Sequence, residues 1–112
     1  MLEDFSPEDR LLLLKFLCAF AWTDLRVKDR ERAFIERVMN KLPLSDEDRD
    51  QVHDWLLVAP APSTVAASAV PTQHRQAFIE AIRALIYSDG SVDDEERAQF
   101  EKLKAALEAP KR

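Results

Sequence analysis

The sequence predicts an all-α protein, a helical bundle, and three observations carry that prediction. Glycine occurs once in 112 residues, fewer than the turns of a β-sheet protein need. Hydrophobic residues make up 46% and charged residues 33%, the balance of a globular rather than a disordered chain. Apolar residues also recur at helical spacing in segments separated by Ser, Asp and Pro. The simplest organisation is one domain, residues 1–112, with a core between about residues 7 and 107.

The segment FSPEDR opens the first helix: Ser6 caps, Pro7 suits the first helical position, and Asp9 completes a short capping box. This helix runs to about Trp22. Leu12, Phe16, Ala19 and Phe20 form a stripe that Leu11, Leu13, Leu14 and Leu17 widen, which places the helix at the centre of a bundle. A second helix covers roughly Asp29 to Lys41, with Phe34, Ile35, Val38, Met39 and Leu42 inward. Pro43 stops it. Ser45 and Asp48 cap a third helix that turns Val52, Trp55 and Leu56 inward and ends near Val58.

Residues 59–71, APAPSTVAASAVP, hold three prolines and no charge, so they form a Pro-rich connector with room for one short helix at 63–69. A fourth helix begins at Thr72, buries Phe78, Ile82, Leu85 and Ile86, and ends at Asp89-Gly90. The last spans about Asp93 to Leu107 and buries Phe100, Leu103 and Leu107, leaving a frayed tail.

The net charge of −5 argues against nucleic acid, whose binding draws on cations against phosphate. It suits a divalent cation or a basic protein partner better. The apolar run from Leu11 to Trp22 is too short to span a bilayer and is interrupted by Lys15, so no membrane insertion is expected. The acidic start, Glu3, Asp4, Glu8 and Asp9, has the wrong charge for a signal peptide, which makes the cytoplasm the default location. The single cysteine, Cys18, lies in an apolar run and reads as a buried, inert thiol.

One stretch, LIYSDGSVDDEE (residues 85–96), looks like the back of a calcium-binding EF-hand loop. Asp89, Gly90, Val92 and Glu96 match its fifth, sixth, eighth and twelfth positions. Its first and third positions, which must also supply oxygen, fall on Leu85 and Tyr87. That excludes an EF-hand. The stretch does occur twice: at an offset of 65, Trp22 to Ala33 overlays Tyr87 to Ala98, matching Asp24 to Asp89, Val27 to Val92 and Glu31 to Glu96. The chain therefore reads as two related helix-loop-helix halves joined by the connector.

This pattern resembles the TerB-like family of tellurite-resistance proteins. The resemblance rests on an apolar helix, then SDGSVDDEE, then an amphipathic helix, on its repetition, and on LPLSDED as the link into the next helix. It extends from about Pro7 to Leu107 and implies an all-helical, single-domain module in a tellurite or metal stress response. It carries the family's acidic positions onto Asp24, Glu31, Asp89 and Glu96, for which divalent-cation binding has been proposed. The sequence departs from the family at Leu25, where glycine is usual.

Two readings of these acids stand side by side. In one they ligate a hard cation, Ca2+ or Mg2+, because the donors are all oxygens. In the other they serve structure alone: Asp29 and Asp93 or Asp94 cap helices, Glu31 and Glu96 bond back to loop N–H groups, and Asp24 and Asp89 tie down the loops. If one loop alone binds metal, it should be the second. It has Gly90 where the first has Leu25, and Asp93 and Glu95 where the first has Lys28 and Arg30. Asp89 and Glu96 would then be the ligands, with Glu31 paired to a backbone N–H or an arginine.

His53, near Asp50 and Asp54, is a weak transition-metal corner, His74 reads as a surface residue, and Trp22 and Trp55 read as core. No phosphate loop, nucleophile elbow or His-rich metal spacing occurs, so no enzyme is expected. The favoured function is a non-catalytic module that binds a divalent cation or a protein partner, self-association included. The alternative is a helical scaffold whose acids only cap helices.

Overall fold

A computed structural model of the chain describes residues 5–22, 27–61, 66–87 and 94–108. Among these residues there are five α-helices and no strand: α1 (Pro7–Ala21), α2 (Asp29–Lys41), α3 (Asp46–Leu57), α4 (Arg75–Ile86) and α5 (Asp94–Glu108). Two of them start as the caps dictate. The Ser6 hydroxyl accepts from the Asp9 N–H at 3.2 Å, and the Ser45 hydroxyl accepts from the Asp48 N–H at 3.1 Å.

Helix α1 packs on every other helix of the bundle, most extensively on α3 and α4. Leu13, Leu14, Phe16, Leu17 and Cys18 are all fully buried. Leu11, Leu12 and Ala19, expected in the inner stripe, are only partly buried, so the stripe is rotated towards 13, 17 and 20–21. Its neighbours contribute Ile35 and Met39, Val52 and Leu56, Phe78, Ile79 and Ile82, and Phe100 and Leu107. Phe16 meets Phe78 edge-on, with ring centroids 5.5 Å apart. Trp22 and Trp55 are half-buried rather than central, and the indole N–H of Trp22 donates to the Trp55 carbonyl at 2.7 Å.

The connector differs in detail from the expected short helix at 63–69. Its described part holds a 3-10 turn at Ala67–Ala69, and a second at Thr72–His74 replaces the expected first turn of α4. That second turn explains why His74 is not a surface residue. It brings the ring to 8% exposure beneath Phe5 (centroids 4.1 Å apart), with Nε2 3.4 Å from an Asp9 carboxylate oxygen. Arg75 then ties the ends together, its Nε donating to the Val70 carbonyl at 3.3 Å and a terminal nitrogen to the Leu107 carbonyl at 3.2 Å.

At the offset of 65, α1 and α4 end on equivalent residues, Ala21 and Ile86, and α2 and α5 begin on equivalent residues, Asp29 and Asp94. Equivalent positions also share their burial: Leu13 with Phe78, Leu17 with Ile82, Ile35 with Phe100, Leu42 with Leu107. Asp9 and His74, which touch, are equivalents too. Like residues that meet are what an approximate two-fold arrangement of the α1–α2 and α4–α5 pairs produces. No helix of the described residues is long and apolar enough to cross a membrane.

Candidate functional site: a buried glutamate pair

A second pair of equivalents meets at the starts of α2 and α5. Glu31 is the third residue of α2 and Glu96 the third residue of α5. Both positions follow a loop and lie in the first turn, where unpaired backbone N–H groups and the helix dipole favour a carboxylate. Neither is on the surface. Glu31 is 4% exposed and Glu96 1%, and their carboxyl groups lie close enough for Glu96 to raise the Glu31 pKa. Two carboxylates brought this close repel, which disfavours the ionised form of Glu31.

Glu31 is anchored from its own side. Lys28 is the N-cap residue of α2, and its backbone N–H donates to Glu31 Oε1 at 3.2 Å, the returning half of a capping box. Asp29 is therefore not the cap; it is the exposed first residue of the helix. On the α5 side, Asp94 is likewise the first helical residue. The Lys28 side chain crosses to the other half of the molecule, and its ammonium lies 3.5 Å from Glu96 Oε1. One residue thus serves both glutamates, Glu31 through its backbone and Glu96 through its charge. Sequence reasoning missed this role. The only signal was that Lys28 stands where the second copy has Asp93.

The electrostatics follow from the burial. Loss of water raises the Glu31 pKa from its ordinary 4.5 to about 8, and the Glu96 carboxyl adds to the rise through its hydrogen bond and its charge. The Lys28 N–H and ammonium pull in the opposite direction and only partly offset it.

Of the four acids singled out in the sequence, the structure brings Glu31 and Glu96 together. Asp24 and Asp89 lie outside the described residues, as do Leu25, Gly90 and Asp93. The two glutamates, one from each copy of the repeated stretch, therefore share one place. Leu85 and Phe20, at the first EF-hand position of each copy, are helical and buried, in keeping with the exclusion of that loop. Among the described residues no three His, Cys, Asp or Glu side chains gather into a metal site. His53 pairs with Glu36 of α2 at 3.0 Å rather than with Asp50 or Asp54 of its own helix, and both partners are exposed. Burial pushes the Cys18 thiol up to about 12, which the nearby Arg32 charge only partly opposes, so it is inert as a nucleophile.

The donor chemistry of the pair fits a hard cation in part. Two buried carboxyl groups point at one place. They would be two ligands of such an ion, which needs further oxygens. Comparison with known proteins bears on this. The protein-family model described as tellurite resistance protein TerB matches residues 1–54, which hold α1, α2 and most of α3, with Asp24 and Glu31. The matched residues stop short of Asp89 and Glu96, which the resemblance in the sequence also covers. No curated protein and no solved structure matches the chain. The match over residues 1–54 supports a TerB-like family assignment for this chain.

Proposed function

We propose that this chain is a non-catalytic TerB-like module of the cytoplasm that binds one divalent cation, Ca2+ or Mg2+, between its two halves in a metal or tellurite stress response. One observation carries the reading: Glu31 and Glu96, from equivalent loops, are buried against each other at the starts of two helices. A buried carboxyl pair costs stability unless a proton, a cation or N–H groups compensate it. A divalent ion compensates both charges at once, and Asp24 and Asp89, each seven residues before its glutamate, would complete its shell. The same ion would join the two halves, so its presence could be reported to a protein partner.

The capping bond from the Lys28 N–H to Glu31 favours a second reading, a helical scaffold whose glutamates only cap and pack. Thermal melting separates the two. An ion that binds only the folded protein at about 100 times its Kd adds ~2.7 kcal/mol of stability. Millimolar Ca2+ or Mg2+ should raise the melting temperature of the native chain and leave a Glu31→Gln/Glu96→Gln variant unmoved. An unshifted native chain would leave the scaffold.

A further inference from the structure

The position of Lys28 has a consequence for how the proposed site takes an ion. Its ammonium already stands where a positive charge does the most good, 3.5 Å from Glu96 Oε1 in a site whose carboxyls are 1–4% exposed. It reaches there from the other half of the molecule, across 68 residues of sequence. The side chain is 29% exposed, so the ammonium can swing into water without dragging the backbone. Lysine suits such a part: it is a compact point charge on a flexible stem rather than a rigid fork.

We infer that Lys28 is the resident cation of the glutamate pair, that an incoming divalent ion must displace its ammonium from Glu96, and that Lys28 thereby sets the cation affinity of the site. This rests on the cation reading above. An ammonium and a metal ion repel each other and compete for the same carboxylate oxygen. A site that holds its own lysine takes a divalent ion only when that ion outbids one tethered charge. The effect is a lowered affinity: Lys28 holds Glu96 at low cation concentration and yields it to the divalent ion as the concentration rises. The backbone N–H of Lys28 keeps its bond to Glu31 in either state, so the loop stays anchored while the side chain leaves.

That division between backbone and side chain makes the inference testable. Lys28→Met removes the charge and keeps both the stem and the N–H bond to Glu31, whereas Lys28→Arg keeps the charge. Mn2+ binding would be titrated by the loss of the free-ion electron paramagnetic resonance signal, with helix content followed by circular dichroism. Lys28→Met is expected to bind Mn2+ at least about tenfold more tightly than the native chain. Lys28→Arg should stay near the native affinity or below it, and Lys28→Met/Glu96→Gln should lose the gain. Should Lys28→Met lose helix content without metal, Mn2+ should restore it. Native and Lys28→Met chains that bind equally would overturn the role of Lys28 and leave the cation reading intact. Failure of both to bind, or of Mn2+ to restore a disordered Lys28→Met chain, would overturn both.

Discussion

Raising the pH should destabilise this protein through a single buried carboxyl. Glu31 has a folded pKa near 8 against an ordinary value of 4.5, so the folded chain holds a proton that the unfolded chain gives up. Stability falls with pH wherever the folded state binds more protons. The contribution is therefore fully present below about pH 4.5, declines across the interval, and is gone above about pH 8. Each pH unit in that window removes at most about 1.4 kcal/mol. Between about pH 5 and pH 8 the loss attributable to Glu31 is then on the order of a few kcal/mol, a large share of a typical domain's stability. Glu31→Gln is the control. Its amide can donate to Glu96 as a protonated Glu31 can, and it does not titrate. Urea unfolding of both proteins at a series of pH values, without divalent cations, gives the difference curve in which titrations away from this pair and Lys28 cancel. The native chain should lose ground to Glu31→Gln as the pH rises and be the less stable of the two at about pH 8. Parallel curves for the two proteins would refute the reasoning, because they would mean that Glu31 holds no proton at neutral pH.

Three further outcomes follow from the packing. Phe78→Ala empties a fully buried position against the rings of Phe5 and Phe16, and should cost about 3–5 kcal/mol in chemical denaturation. Ser45→Ala removes the cap bond to the Asp48 N–H, and about 1 kcal/mol is expected, with Ser45→Asp restoring most of it. Cys18, buried and with its pKa pushed up to about 12, should resist alkylation in the native protein and react readily in denaturant.

Much of the fold was legible because it is local. Ser6 and Ser45 caps, the Pro43 stop and the apolar spacings of Phe78, Ile82 and Phe100 act within a turn or two, and they place the helices to within a few residues. The centrality of α1 was legible from its wide apolar stripe. Its rotation was not, since an almost wholly apolar helix gives periodicity little to choose between. His74 misled because burial of a histidine depends on Phe5 and Asp9, distant in sequence and brought over it by the 3-10 turn.

The candidate site divides in the same way. Glu31 and Glu96 were legible as special because they repeat in register, and the bond from the Lys28 N–H is local. That the two glutamates meet each other is a tertiary fact, set by how α2 and α5 dock around α1 and α4. Treating the loops one at a time made Lys28 a charge that weakens the first loop. In the folded protein it acts on the second.

A structure of the protein grown with Mn2+, with the metal located by its anomalous scattering, tests the central claim most directly. The account predicts one ion, bound by both Glu31 and Glu96, with the Lys28 ammonium moved away from Glu96. Two ions, one in each loop and sharing no glutamate, would contradict it. So would a metal-free pair still packed against each other, with Lys28 in place, at a Mn2+ concentration well above any affinity of functional use.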